Sequence, residues 1–423
     1  WKDLLTPSFK FHNFAIPAIE YIPNDNYVFY NAFARFFEGA KPVGKFRWGS
    51  SGICYAYERN GEFLAACWDY RNTTRWQAIL PAGSAKPVAY DIFGNKIKKF
   101  DGRTIKLGVA PIVFRWKSNS ITKKEMLESL KNAKITGTEA FNVERAVVVQ
   151  DSGAELLIGI TSMSSESKNG VDVSLSSDVF LKKRYEIKGV DFPPFKLRTL
   201  QASVKLVPRT NKKNSIEVKI SEEKKVFTQN QALTIHKLVK LNEGKKSPAY
   251  NMEKVFGKAP ESPEDFSASF SLEKKGNDLY VFINVKDSKR GILSDRVQLW
   301  NEDNIQIYLD MLPLSLESFP KYSKHTYKIV ISAFRQGKNK ISSEYFPGKI
   351  DAEVKNIPGG YNMVVRINLD KLNLQKTDSA KLIAFDISAG DSDGKGRESE
   401  LFWHGNNENY RNRSKFAFLE LNK

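Results

Sequence analysis

Apolar and polar residues alternate with a period of two along most of this 423-residue chain, the mark of strands buried on one face. The pattern is clearest between about residues 138 and 240, where "FNVERAVVVQ", "AELLIGITSMS", "GVDVSLSS", "LQASVKLVPR" and "NSIEVKISEEKKVFTQ" follow one another. Polar turns separate them at the spacing of an immunoglobulin-like sandwich. Strands are also predicted from Val43 to about Trp116, punctuated by turns at Asn60-Gly61, Gly94-Asn95 and Asp101-Gly102. Residues 241–255 lose the alternation and mark a seam, after which "DFSASFSLEKKGNDLYVFINVKD", "NIQIYLD", "TYKIVISAF", "GGYNMVVRINLDKL", "KLIAFDISAGD" and "SKFAFLEL" restore it.

Two segments break the period. In "PNDNYVFYNAFARFFEGAK" the residues Tyr27, Tyr30, Phe33, Phe36 and Phe37 share one helical face, Asp25 or Asn26 is placed to cap its start and Gly39 to end it. Thr122 to about Ala133 reads as a short polar helix, capped by Thr122 and acting as a connector. Residues 1 to about 22 read as irregular. The expected fold class is mainly β: serial β-sandwich domains with one N-terminal helix and a short connecting helix. The expected division is 1–117 (helix plus antiparallel β-domain), 118–137 (linker helix), 138–240 (immunoglobulin-like sandwich) and 241–423 (a last β-sandwich).

Composition adds limits. An apolar content of 41% with 27% charged residues is that of a folded domain protein, and no apolar stretch approaches the roughly 20 residues that insert into a membrane. A net charge of +18 favours polyanionic partners, acidic or sulfated polysaccharides among them. Many lysines alternate with acids, as in "KISEEKKVF", which is the habit of a solvated surface. No arginine-rich arm, zinc-finger spacing or RNA-binding aromatic motif is seen, so nucleic acid is not an expected partner. The four histidines, His12, His236, His325 and His404, are too far apart in sequence to announce a zinc or iron site. Counting outward from the Asn60-Gly61 turn sets Cys54 directly opposite Cys67. That pair is either a cross-strand disulfide or two small buried residues beside Ala56 and Ala65.

Trp300, in "RVQLWNEDNIQIYLD", and Trp403, in "ESELFWHGNNENYRNRSKFAFLEL", are large aromatics at strand ends. Such residues serve equally as walls of a sugar cleft or as sandwich core. The order "NDLYVFINVKD", "LWNEDNIQIYLD", "GYNMVVRINLDKL", "AFDISAGDSDGKGRESELFWHG" and "FAFLEL" makes residues 240–423 resemble family 9 carbohydrate-binding modules, although "KKSPAYNMEKVF" stands where those modules have Asp-Gly followed by Trp. The resemblance implies that Trp300 and Trp403 clasp a pyranose between their faces, an arrangement that removes apolar surface from water at about 25 cal/mol per Å². By motif position it also implies hydroxyl contacts from Gln306, Lys328 and Glu400. Trp403 precedes His404-Gly405 and a polar loop, which predicts an outward-facing ring. No cofactor is required, but the resemblance implies structural calcium, with Asp391 and Asp393 of "DSDG" as ligands even though the rest of a calcium-loop spacing is missing. Asp310 reads as a turn residue rather than a general base.

Residues 24–116 resemble the end of barrel-type glycoside hydrolases, through "YNAFARFFEGAKPVGKF", "VAYDIFGNKI" and "LGVAPIVF". The implied catalytic carboxylates, about 5–5.5 Å apart in a retaining enzyme, would lie upstream of Trp1, and no substitute pair can be assigned within the chain. The chain opens "WKDLLTPSFK", with no initiator Met, which fits a leader or upstream region having been removed. The expectation is therefore a non-catalytic, polysaccharide- or oligosaccharide-binding C-terminal part of a secreted or surface protein, tethering a hydrolase to its polymer. A structural surface-layer or adhesion protein built of sandwich spacers is the first alternative. A complete enzyme with a site not visible in sequence is the second.

Overall fold

The computed structural model describes residues 25–48, 52–69, 77–117, 119–136, 140–164, 166–207, 214–223, 225–289, 291, 298–317, 319–335, 337–343, 345–377 and 380–422. The expected irregular segment 1–22 lies outside them, as do the side chains of Asp25, Asn26, Tyr27 and Tyr30. The chain divides into two compact units, Trp1–Ala140 with Met163–Ser165, and Phe141–Ser162 with Glu166–Lys423.

In the first unit the helix Asp25–Phe37 is stopped by Gly39 at φ +70°, a conformation that costs glycine little. Its Phe33, Phe36 and Phe37 pack on Tyr57, Leu64, Ala66 and Val113, one face of a five-stranded antiparallel sheet. The strands run in the order Lys41–Trp48, Gly52–Arg59, Glu62–Asp69, Ile112–Trp116, Val88–Tyr90. Asn60 and Gly61 both take positive φ (48° and 79°), as a two-residue hairpin turn demands, and this pins Cys54 opposite Cys67. Both are buried free thiols whose Sγ atoms lie 2.9 Å apart. Burial, together with the neighbouring Cys54, pushes the Cys67 thiol well up. The helix Lys123–Lys131 has the Thr122/Glu125 capping box, so its predicted start is correct. It is more than a connector, because Met126 and Leu130 are fully buried against the second face of the sheet, with Phe114 and Trp116.

The second unit contains two sandwiches. In the first, strands Arg184–Phe192, Lys168–Ser176, Ser215–Glu222 and Lys225–Leu241 face strands Leu197–Val204, Ala154–Ser162 and Phe141–Gln150 across a core that includes Val148, Ile158, Val173 and Val218. In the second, a sheet ordered Tyr250–Asn251, Phe266–Lys275, Asp278–Asp287, Gly360–Asn368, Ile350–Ile357 faces one built on Lys381–Asp391, Asn304–Asp310 and Thr326–Ser332. The 17-residue strand Lys225–Leu241 belongs to both. It pairs antiparallel with Ser215–Glu222, then parallel with Phe141–Gln150 through Leu233–Lys237, then parallel with Ala417–Leu421 through Leu238–Leu241. A smaller core of Val147, Val149, Leu157, Leu238, Leu314, Leu382 and Phe418 fills the junction. The seam predicted at 241–255 is thus a change of pattern and not a break in packing.

Candidate functional site

Along Asn304–Asp310, Ile305, Ile307 and Leu309 enter the inter-sheet core, which turns Asn304, Gln306, Tyr308 and Asp310 to the opposite face. Those four polar residues are nevertheless buried, so they need hydrogen-bond partners. Pairing supplies them: Ser388 lies across from Gln306, Asp386 and Lys328 across from Tyr308, and Glu400 across from Gly390. Gln306 Nε2 and Ser388 Oγ donate to Glu400 Oε1 at 2.8 and 2.7 Å, and Tyr308 OH donates to Gln306 Oε1 at 3.0 Å. The Arg397 guanidinium bonds the other Glu400 oxygen. Burial raises the Glu400 carboxyl, and Arg397, Ser388 and Lys328 pull against that rise. Lys328 Nζ stands 5.9 Å from the Tyr308 ring centroid. Deeper on the same face, Asp310 forms a fully buried ion pair with Arg413 at 2.6 Å and serves neither as a simple turn residue nor as a free carboxylate.

Trp300 rides on a short 3-10 turn, Leu299–Asn301, and is 40% exposed. Arg397 lies 5.5 Å from its ring centroid and 5.9 Å from that of Phe256, itself 43% exposed. Phe256 pairs with Glu400 across the edge strand Lys254–Gly257. Two exposed rings therefore flank the Arg397–Glu400–Gln306 network. The expected partner of Trp300 was Trp403, and the structure corrects this. Trp403 is only 3% exposed and packs edge-to-face on Phe270 and Phe385, at 5.2 and 6.0 Å, with Tyr250 beside it. The reason is strand parity: Glu400 and Trp403 are an odd number of residues apart, so turning Glu400 to the outer face sends Leu401 and Trp403 inward. Phe256 is the aromatic that sequence reasoning missed. The parity of the Trp403 segment was the available signal that its own role needed revision.

Beside the Trp300 turn, ligand oxygens of Asp287, Asp303 and Asp391 lie within 4.8 Å of one another. Asp303 Oδ2 accepts from Gly291 N at 2.7 Å and Oδ1 from Ser392 N at 2.8 Å, so one carboxylate ties two loops. A side chain at 291 would bring its Cβ to 1.6 Å from Ser392 O, so that close approach requires glycine. Burial first, then backbone hydrogen bonds working against it and Asp287 adding repulsion, leave Asp303 at about 8. Burial and the neighbouring Asp287 and Asp393 bring Asp391 to about 7. The Tyr361 hydroxyl, whose pKa burial raises first and these carboxylates raise further, has no hydrogen-bond partner. An all-oxygen, charge-crowded set of this kind fits a hard cation such as calcium. Of the two expected ligands, Asp391 belongs to the cluster. Asp393 does not: it pairs with Lys289 at 3.0 Å. Asp287 and Asp303 were not foreseen, since nothing local in their segments spells a metal loop.

Residues 242–423 match the family model described as carbohydrate family 9 binding domain-like, so the last β-sandwich is a family 9-like domain. Among solved structures, a family 9 carbohydrate-binding module from Caldicellulosiruptor kristjanssonii in complex with cellotriose is 19% identical, over 44% of this chain and 93% of that one, with a TM-score of 0.34. A module of that family from the same organism in complex with glucose is 20% identical, over 44% and 95%, with a TM-score of 0.33. No curated protein matches the chain.

Proposed function

We propose that the family 9-like domain binds a saccharide on the face that carries Trp300. The observation that carries this reading is the pair of exposed rings, Trp300 and Phe256, beside a buried network that holds Glu400, Gln306 and Arg397 in place. A pyranose presents an axial C–H patch to an indole and edge hydroxyls to paired donors and acceptors, and both kinds of group are adjacent here. Trp300 supplies the stacking face. Arg397, oriented by the buried Glu400, and Lys328 would offer donors to the hydroxyls, and Gln306 fixes the carboxylate from behind. In this reading Trp403 supports the face from the core and does not touch sugar.

A calcium ion held by Asp287, Asp303 and Asp391 would neutralise their repulsion and fix the loops that carry Trp300 and Arg397. Asn301 Oδ1 already accepts from Arg397 N at 3.0 Å across that joint. At the level of the whole protein, the reading is a non-catalytic targeting part that raises the local polymer concentration for an upstream hydrolase in a secreted or surface setting. The first unit would be the end of that hydrolase. The spacer alternative draws on the strand shared by the two sandwiches, which joins them through continuous backbone pairing. Among the described residues no helix is long and apolar enough to cross a membrane.

Calorimetric titration with cellotriose tests the site. Trp300→Ala should weaken binding by about 2 kcal/mol, roughly thirtyfold, with an unchanged melting temperature. Undiminished affinity in that variant would overturn the reading.

A further inference from the structure

The sheet that carries the Trp300 face forks on one side. Strand Lys381–Asp391 pairs with Ala417–Leu421 along its first half and with Ser399–Phe402 along its second. Leu238–Leu241 extends one branch and Lys254–Gly257 the other. Topology gathers three lysines and two histidines at the fork. His236 and Lys237 immediately precede the first branch's pairing, Lys254 lies across from Phe402, His404 is two residues past Phe402, and Lys415 is two before Ala417.

Contacts confirm the grouping. Lys254 Nζ donates to the His404 carbonyl, the rings of His236 and His404 lie 5.7 Å apart, and Lys237 Nζ stands 5.7 Å from the Trp403 centroid. Arg145 approaches His236 Nε2 at 3.4 Å, and Thr234 Oγ1 does so at 2.9 Å. Among the described residues Lys237, Lys254 and Lys415 form no ion pair, and His404 Nδ1 has no hydrogen-bond partner. The carboxylate that acts on Lys254 is Asp386, and its two oxygens are committed to Ile387 N, His404 N, Gly405 N and Asn409 Nδ2.

We propose that this fork is an anion-binding cleft that takes the carboxylate or sulfate groups of an acidic saccharide. Three lysines, close enough that Lys237 and Lys415 act on Lys254, lie beside two neutral imidazoles without a free counter-charge, and an arriving anion would supply the missing charge and acceptors. The local potential is visible in the histidines: burial, then Arg145 and His404, hold His236 down at about 3, and burial, then Lys254 and Lys237, hold His404 at about 4. That the ligand is a saccharide rests on the function proposed above; that the fork takes an anion does not.

The test is calorimetric titration of the full chain with a uronic-acid oligosaccharide, a sulfated oligosaccharide, neutral cellotriose and inorganic sulfate. It compares the parent with K237Q/K254Q, with W300A, and with K188Q/K205Q, which lowers the net charge equally elsewhere. K237Q/K254Q should lose about tenfold or more in affinity for the acidic saccharides, keep its affinity for cellotriose and keep its melting temperature. W300A should lose cellotriose and still take up inorganic sulfate; loss of both there would overturn the separation of the two sites. An equal loss in K188Q/K205Q would replace the cleft by diffuse charge and overturn the proposal. So would unchanged acidic binding in K237Q/K254Q. Inorganic sulfate binding as tightly as any acidic saccharide would overturn the saccharide assignment. Failure of cellotriose alone would remove the Trp300 reading and leave the cleft standing.

Discussion

At position 403 a tryptophan sits where its ring meets Phe270, Phe385 and Tyr250, so its truncation removes core packing. Trp403→Ala should therefore cost about 3–5 kcal/mol of stability. Chemical denaturation reads this directly, and a variant as stable as the parent would show that the ring faces solvent. The carboxylate cluster gives a second residue-scale prediction. Asp303 and Asp391, at about 8 and about 7, hold their protons more tightly in the folded chain than an unfolded aspartate does. Their contribution is thus full below about pH 4 and is lost as pH rises through about 7 to 8. With chelator present the melting temperature should fall between about pH 5 and about pH 8, and calcium should restore more of it at the higher pH, where the ligands are deprotonated. A calcium response of equal size at both pH values would count against the site. Residue identity was legible in part. Gln306, Lys328 and Glu400 share a face because a period of two fixes each strand's outward residues, whereas Trp300 sits on a 3-10 turn that no period announces. The carboxylates at 287, 303 and 391 meet only after the two sheets of the sandwich have packed, so "DSDG" could disclose one of the three.

Among the elements, those whose geometry is written locally were readable. Asn60-Gly61 sets its own hairpin, Thr122 and Glu125 cap their own helix, and the alternation of Ile305, Ile307 and Leu309 names the buried face of its strand. The edge strand Lys254–Gly257 was not readable, because its four residues are all exposed and leave no alternation to follow. Phe256 was lost with it. Parallel pairing of Lys225–Leu241 with two distant strands is likewise invisible to any short window. At the junction, Gly159 in strand Ala154–Ser162 passes so close to Leu314 that an added Cβ would stand 2.7 Å from its carbonyl oxygen. Gly159→Val should cost about 1–3 kcal/mol through overpacking. Thermal unfolding of that variant checks it, and a melting temperature equal to the parent's would mean that the junction can yield.

For the whole molecule, the charge of +18 sits on a chain in which many ion pairs among the described residues are exposed, such as Lys258–Glu261 and Arg411–Glu408, and exposed pairs contribute little to stability. Cohesion of the second unit instead comes from its apolar cores and from the strand Lys225–Leu241. That strand has a practical consequence for anyone who would cut the protein by homology. The family match begins at residue 242, one position after the strand ends. A fragment starting there would lose the neighbour of Ala417–Leu421, baring the backbone of an edge, and would expose Leu314, Leu382 and Phe418. Expressed alone, residues 242–423 should aggregate or dimerise through that edge, while a fragment beginning at 141 should stay monomeric in size-exclusion chromatography. A monomeric, fully folded 242–423 fragment would show that the edge protects itself. The inheritable module and the foldable one would then have different borders, with the upstream sandwich covering an edge that the homologous segment cannot cover for itself.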